Sequence, residues 1–281
     1  MSNITRTIYG AALQTSQFLK APIKIDNNTT LNEKFGIMDS ATLDANESPY
    51  AKYLAIGRGG HKNVTGPDGS PVSGLHKHHS RDASLFIHLP FILRETDNDL
   101  TAEQRAGYAM RREERHGGRD YYAYYLKRLP DYENPPVTIL TTVENGNSSS
   151  VPFVPSAQDL NPTPPELAVG GVTPASGDSL TTTAPVTYAL SVNDINEIIE
   201  ACRVINNDTA YAIISEIAIV TGVDRNITVP SGAGNVSFAE AIAAQTAILV
   251  CDGPYHLPSL NKALTLQYEL GATEKLTIDE S

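Results

Sequence analysis

A chain of 281 residues with 41% hydrophobic and 19% charged side chains carries enough apolar material for one large core or two ordinary ones. It holds no run of 18 apolar residues, which excludes an ordinary membrane-spanning helix, and its net charge of -11 argues against nucleic acid as the main ligand. The charge is uneven: residues 1–128 hold 17 Lys/Arg against 14 Asp/Glu, whereas residues 129–281 hold 4 against 18.

A split of that kind suits a protein that meets copies of itself, or different neighbours at each end, and uses charge to steer them. The opening "MSNITRTIYGAALQTSQFLK" lacks a charged-then-apolar leader pattern, so no secretion signal is expected. Residues 1–60 read as short extended pieces with turns. A strand begins at Tyr53–Ile56 and dissolves into Gly59-Gly60, Gly66-Pro67 and Asp68-Gly69, all of them turn chemistry. "GRGGH" at 57–61 lacks the Gly-Lys-Ser/Thr ending of a phosphate loop, as does "SGAGN" at 231–235. Both read as glycines in surface turns.

"GLHKHHSRDASLFIHLPF" at 74–91 holds four of the seven histidines. His76 and His78 would point the same way on a strand, and His61, His88 or Asp82 could complete a metal site. No zinc-protease or similar framework accompanies them, so His76, His78 and His79 read first as a polar loop that hydrogen-bonds across an interface. Neither a metal nor a cofactor is expected.

"DLTAEQRAGYAMRREER" offers a capping box, Thr101 with Gln104, and predicts a helix of about 14 residues stopped by Gly117-Gly118. Its basic residues Arg111, Arg112 and Arg115 (with Arg119 beyond) are diluted by Glu113 and Glu114 and read as one side of an ion-pair contact. "DYYAYYLKRLP" predicts a strand with Tyr122 and Tyr124 on one face and Tyr121 and Tyr125 on the other. The four tyrosines divide between core and partner surface, one face each.

Residues 134–178 contain eight prolines and read as an extended arm or linker that can become ordered across a neighbour, with one strand in "VTILTTVE". Beyond them, "SLTTTAPVTYALS" is rich in strand formers. Ser191 with Asp194 opens a helix whose Ile195, Ile198, Ile199, Cys202 and Ile205 share a stripe. "YAIISEIAIVTGV" is a buried helix or strand. Ser237 with Glu240 forms another capping box ahead of an apolar helix, and "ALTLQYEL" closes as a strand. Cys202 and Cys251 sit in apolar segments and read first as buried thiols, with a disulfide the alternative because spacing alone does not fix their distance. The expected architecture is α+β: a β-rich domain over 1–133 with one capped helix, a Pro-rich arm over 134–178, and a compact α/β unit over 179–281.

"YLAIGRGGHKN", "SRDASLFIHLPFILRETDNDLTAEQRAGYAMRR", "DYYAYYLKRLP", "PFVPSAQDLNPTPPEL" and "AYAIISEIAIVTGVD" together resemble virion structural proteins of large contractile-tailed bacteriophages. The resemblance implies a non-enzymatic virion component in the tail or baseplate, or at the neck or collar. Its partners would be other virion proteins and copies of itself, and no active-site residue carries over. The alternatives are a metal-dependent hydrolase built on His76 and His78, and a capsid decoration or receptor-binding module.

Overall fold

The computed structural model describes residues 3–38, 42–130, 137–142, 148–152, 154, 156–162, 172–231, 234–260 and 262–279. In chain order these form β1 (Asn3–Arg6), α1 (Ile8–Leu19), α2 (Leu31–Phe35), β2 (Tyr50–Gly57), β3 (His61–Thr65), β4 (Pro71–Leu75), β5 (His88–Leu89) and β6 (Ile92–Glu95). Next come α3 (Ala102–Arg105), β7 (Tyr108–His116), β8 (Arg119–Arg128), β9 (Val137–Thr142), β10 (Ser148–Pro152), α4 (Ala157–Leu160) and β11 (Val172–Leu190). The last elements are α5 (Val192–Asn206), β12 (Ile213–Ser231), β13 (Gly234–His256) and β14 (Leu264–Asp279).

The chain divides into two compact units, Met1–Pro130 with Leu190–Leu264 and Asp131–Ala189 with Thr265–Ser281. The first unit is organised on an antiparallel sheet in the order β1-β13-β12-β2-β8-β6, with β5 also paired to β2 and β7 to β8; β3 and β4 form a separate hairpin. The second unit is a four-stranded sheet in the order β10-β9-β11-β14.

Central position explains the composition of β2 and β12. Residues 53–57 and 214–223 are buried without a break, on strands flanked on both edges by other strands of the sheet. The main core joins Leu31 and Phe35 of α2, Tyr53 and Ala55 of β2, Tyr125 of β8, Val220 of β12 and Leu249 of β13. Such a continuous apolar run has no period, which is why "YAIISEIAIVTGV" reads equally as helix or strand; it is strand β12. The Ser191 capping box forms, and α5 buries Ile195, Ile198, Ala201 and Cys202.

The α+β expectation is overturned: the fold is mostly β, with strand making up 49% of it. Two predicted helices account for the correction. At Thr101 the capping box is present, yet α3 ends at Arg105 and the remaining residues become β7. Gly117 and Gly118 have φ of +56° and +84°, the left-handed pair of a tight hairpin turn into β8 rather than a helix stop. The second predicted helix, after Ser237, is instead the interior of β13, paired with β12 through register shifts at Ala243–Ala244 and Ala247. In the opposite direction, α1 occupies a stretch read as extended, and Thr7 caps it by accepting from the Gly10 amide.

The composition-based division also differs from the packing. Leu190–Leu264 belongs with Met1–Pro130 because β12 lies between β13 and β2. Within the expected arm, β9, β10 and β11 pair with one another as a sheet; residues 134–136, 143–147, 153, 155 and 163–171 lie outside the described residues.

Candidate functional site

Glu216 stands in β12 with Gly57 of β2 opposite on one side and Cys251 of β13 on the other, and it is 0% exposed. A bare carboxylate at such a place costs several kcal/mol, so donors must converge on it. Four do. Its Oε1 accepts from the amides of Gly59 (2.7 Å) and Ile87 (2.9 Å); its Oε2 accepts from the Phe86 amide (2.9 Å) and faces His78 Nε2 at 3.0 Å. The other His78 nitrogen faces Asp82 Oδ2 at 3.0 Å, and that oxygen also accepts from the His79 amide. One buried side chain thereby fastens two loops and a histidine to the centre of the sheet.

The glycines at 57–60 follow from this closeness. A Cβ on Gly57 would lie 2.6 Å from Glu216 Oε1, and one on Gly60 would lie 2.1 Å from the Ser215 carbonyl oxygen. The Gly60 amide also donates to Ser215 Oγ at 3.1 Å. These glycines permit contact between a loop and the sheet; they are more than the surface-turn residues the sequence suggests.

His76 and His78 do not form a chelating pair. Phe86 stacks against both rings, with centroids 4.4 Å from His76 and 3.9 Å from His78 and planes 12° and 9° from parallel. Two parallel rings that close to a third must occupy its opposite faces. Among the described residues no group of three or more His, Cys, Asp or Glu is placed to hold a metal ion. His79 is exposed, and its side chain stands outside this stack.

His88 is spent elsewhere. Its ring meets Phe35 edge-on at 5.1 Å, both nitrogens are shut off from solvent without hydrogen-bond partners among the described residues, and burial pushes its pKa down to about 3. Cys251 donates from Sγ to the His76 carbonyl at 3.0 Å; burial raises its pKa and brings that of Cys202 up to about 11. Both are free, buried thiols unsuited to nucleophilic work.

The tyrosine patch is mostly structural. Tyr124 and Tyr125 are core residues, while Tyr121 and Tyr122 are half-buried against the two clusters these belong to. The Tyr124 hydroxyl donates to Asp99 and the Tyr125 hydroxyl to Glu114, each at 2.6 Å, and burial raises the pKa of both phenols. Asp99 also receives Arg105 at 2.7 Å and Arg111 at 2.9 Å, and the Arg111 guanidinium lies 3.2 Å from the Tyr122 ring centroid. Arg112 pairs with Glu114 and Arg115 with Asp120, both at 3.5 Å. The adjoining cleft of about 730 Å³ is therefore lined by arginines already matched to acids.

The uneven charge of the two halves has an intramolecular use that sequence reasoning missed. Arg94 meets Glu197 (2.6 Å), Lys127 meets Asp194 (2.5 Å), and Lys52 and Arg128 both meet Asp224 (2.6 Å each). Cations of the amino-terminal half thus fasten acids of the carboxy-terminal half into the first unit. Arg58, Lys62, Lys77 and Arg81, like Lys20 and Lys34, have no carboxylate partner among the described residues. The signal for the buried clasp was present in "IISEIAI": a glutamate inside an otherwise apolar strand demands donors.

No helix of the described residues is long and apolar enough to cross a membrane. No curated protein matches this chain, and no solved structure does. The model of one family, described as a family of unknown function (DUF7208), matches residues 1–281, and the chain belongs to that family.

Proposed function

We propose that this protein is a non-enzymatic structural subunit of a bacteriophage virion, in the tail or baseplate, whose work is to dock on neighbouring polypeptides. The observation that carries the docking role is apolar surface left in water: Phe18 is 88% exposed, Leu160 85% and Val154 80%. Helix α1 buries Leu13 while Ile8, Phe18 and Leu19 stay exposed, and Ile8–Leu19 contains no charged side chain. Covering one such side chain is worth about 1.5–3 kcal/mol, so a partner that buried several would bind firmly. The virion setting rests on the sequence phrases described above.

A metal-dependent hydrolase has less support, since both nitrogens of His78 are engaged by carboxylates and Phe86 separates it from His76. The test is mass spectrometry of purified particles of the virus that encodes the chain, with cross-linking from Lys20 beside the exposed Phe18–Leu19 pair. The expected result is stoichiometric protein in particles, with Lys20 linked to another polypeptide. Phe18→Glu with Leu19→Glu should keep the fold and cut incorporation at least about tenfold, the effect of losing roughly 1.4 kcal/mol. Particles that lack the protein would overturn the proposal.

A further inference from the structure

The first unit has a second cleft, of about 540 Å³, lined by Arg58, His61, Lys62 and His76 together with Tyr211 and Ile213. Its volume falls within the range of small-molecule sites. Three features set it apart from the arginine cleft beside Asp99. Arg58 and Lys62 have no acidic partner among the described residues, whereas Arg105, Arg111 and Arg112 of the other cleft are each matched to an acid. The one acid on the wall, Asp208, accepts from the Ala210 amide and makes no ion pair among the described residues. Among the described residues His61 Nδ1 is buried without a partner, and His76 Nδ1 meets the Gly59 carbonyl at 3.3 Å while its Nε2 has no hydrogen-bond partner.

The backbone that carries Arg58 and His76 is also held in place. The Arg58 amide donates to the Ile87 carbonyl and the His76 amide to the Gly60 carbonyl, while Glu216 grips Gly59 and Ile87 from beneath. The Arg58 guanidinium lies over the Tyr211 ring at 4.6 Å, so its charge is presented from a fixed aromatic platform. Lys77 and Arg81 are exposed nearby in sequence and are likewise unpaired among the described residues. Two cations and a histidine set against one acid, with apolar side chains in the same lining, select a ligand with one anionic end and one apolar end.

We propose that this cleft binds a small organic anion, a carboxylate or phosphate group carried on an apolar or aromatic body. The acid group meets Arg58, Lys62 and His76, and the body lies against Tyr211 and Ile213. The site is independent of the docking role.

The test is a titration of the full chain at low salt, read by NMR at the histidine ring signals. Its probes are 3-phenylpropionate, phenyl phosphate and the neutral benzyl alcohol. Both anions should move the His61 and His76 signals saturably, while the enclosed His88 ring stays still and the alcohol moves none. Binding by one anion alone supports the site and identifies the acid group it takes. Arg58→Gln should weaken binding about tenfold, the loss of one charge-assisted contact. Because Arg58 also packs on Tyr211, the exposed Lys62→Glu provides a variant that keeps the fold, and it should weaken binding by at least as much. Absence of a saturable shift with either anion, equal shifts with the alcohol, or unchanged affinity in Lys62→Glu would overturn the proposal.

Discussion

Replacing Glu216 by Gln tests whether one buried carboxylate holds the 57–60 and 86–87 loops to the sheet. The amide keeps one acceptor oxygen, which can still serve the Gly59 and Ile87 amides. Its NH2 then faces the Phe86 amide, donor against donor, while His78 can turn to accept at Nε2. One orphaned buried amide costs about 1–3 kcal/mol, and losing the charge weakens the remaining bonds, so the total is about 2–4 kcal/mol. For a cooperative unit of roughly 200 residues, that lowers Tm by about 5–15 °C. Glu216→Ala should fall further, because it leaves four donors without a protein acceptor. Thermal unfolding followed by circular dichroism measures both variants. Hydrogen exchange should show the Gly59, Phe86 and Ile87 amides losing protection first. A Glu216→Gln protein melting within about 2 °C of the parent, or an Ala variant no worse than Gln, would refute the reasoning.

Four further outcomes follow from the same contacts. Because the folded His88 pKa is depressed to about 3 while the unfolded ring titrates at its ordinary value near 6.5, stability should fall as pH drops below about 6.5. His88→Leu should flatten that slope in pH-dependent urea unfolding and be neutral or stabilising at pH 7, since it removes two unpartnered nitrogens. Burial opposes ionisation of Asp224, but its bonds from Arg128, Lys52 and Tyr53 outweigh it and hold the pKa below the usual carboxylate range. Asp224→Asn should therefore be less stable than the parent at pH 7, with the gap closing as pH falls through the carboxylate range. Ellman's reagent should leave Cys202 and Cys251 unmodified in native protein and titrate two thiols in urea. Gly117→Asn, at φ +56°, should be tolerated within about 0.5 kcal/mol and Gly117→Val should cost more than about 1 kcal/mol, as a left-handed hairpin turn requires.

The sequence is most legible where local chemistry and tertiary context agree. Ser191 and Asp194 mark a true helix start, and the apolar stripe that follows is buried as α5. Thr101 and Gln104 mark an equally true start, yet a capping box fixes only the first turn. The residues after it alternate between β8 partners, Arg111 opposite Tyr124 and Glu113 opposite Tyr122, and pairing outcompetes the helix. "FAEAIAAQ" shows the same conflict more sharply. Its alanines favour helix, but residues 238–242 are opposed one by one along β12, and Glu240 is used to accept the Met110, Arg111 and Ala241 amides rather than to cap anything. Long-range pairing of this kind leaves no mark within a short window of sequence.

The site was half legible for a related reason. "HKHHSR" announces polar chemistry, but not that Phe86 divides its histidines or that a glutamate 138 residues beyond His78 takes one of them. The charge asymmetry was visible too, and its use was obscured because opposite charges far apart in sequence can meet inside one molecule as readily as between two. Once Arg94, Lys127, Lys52 and Arg128 are matched to carboxy-terminal acids, asymmetry alone no longer argues for a partner. What retains force is the remainder after matching. Arg58 and Lys62 have no ion-pair partner among the described residues, Arg58 lies over the Tyr211 ring, and the Gly59 amide beside Arg58 is held by Glu216. The matched pairs are partly buried, and salt screens them much less than it screens exposed charges. The unmatched pair faces water, where about 0.15 M salt screens beyond roughly 8 Å, so ligand affinity there should decline with ionic strength while Tm stays almost constant.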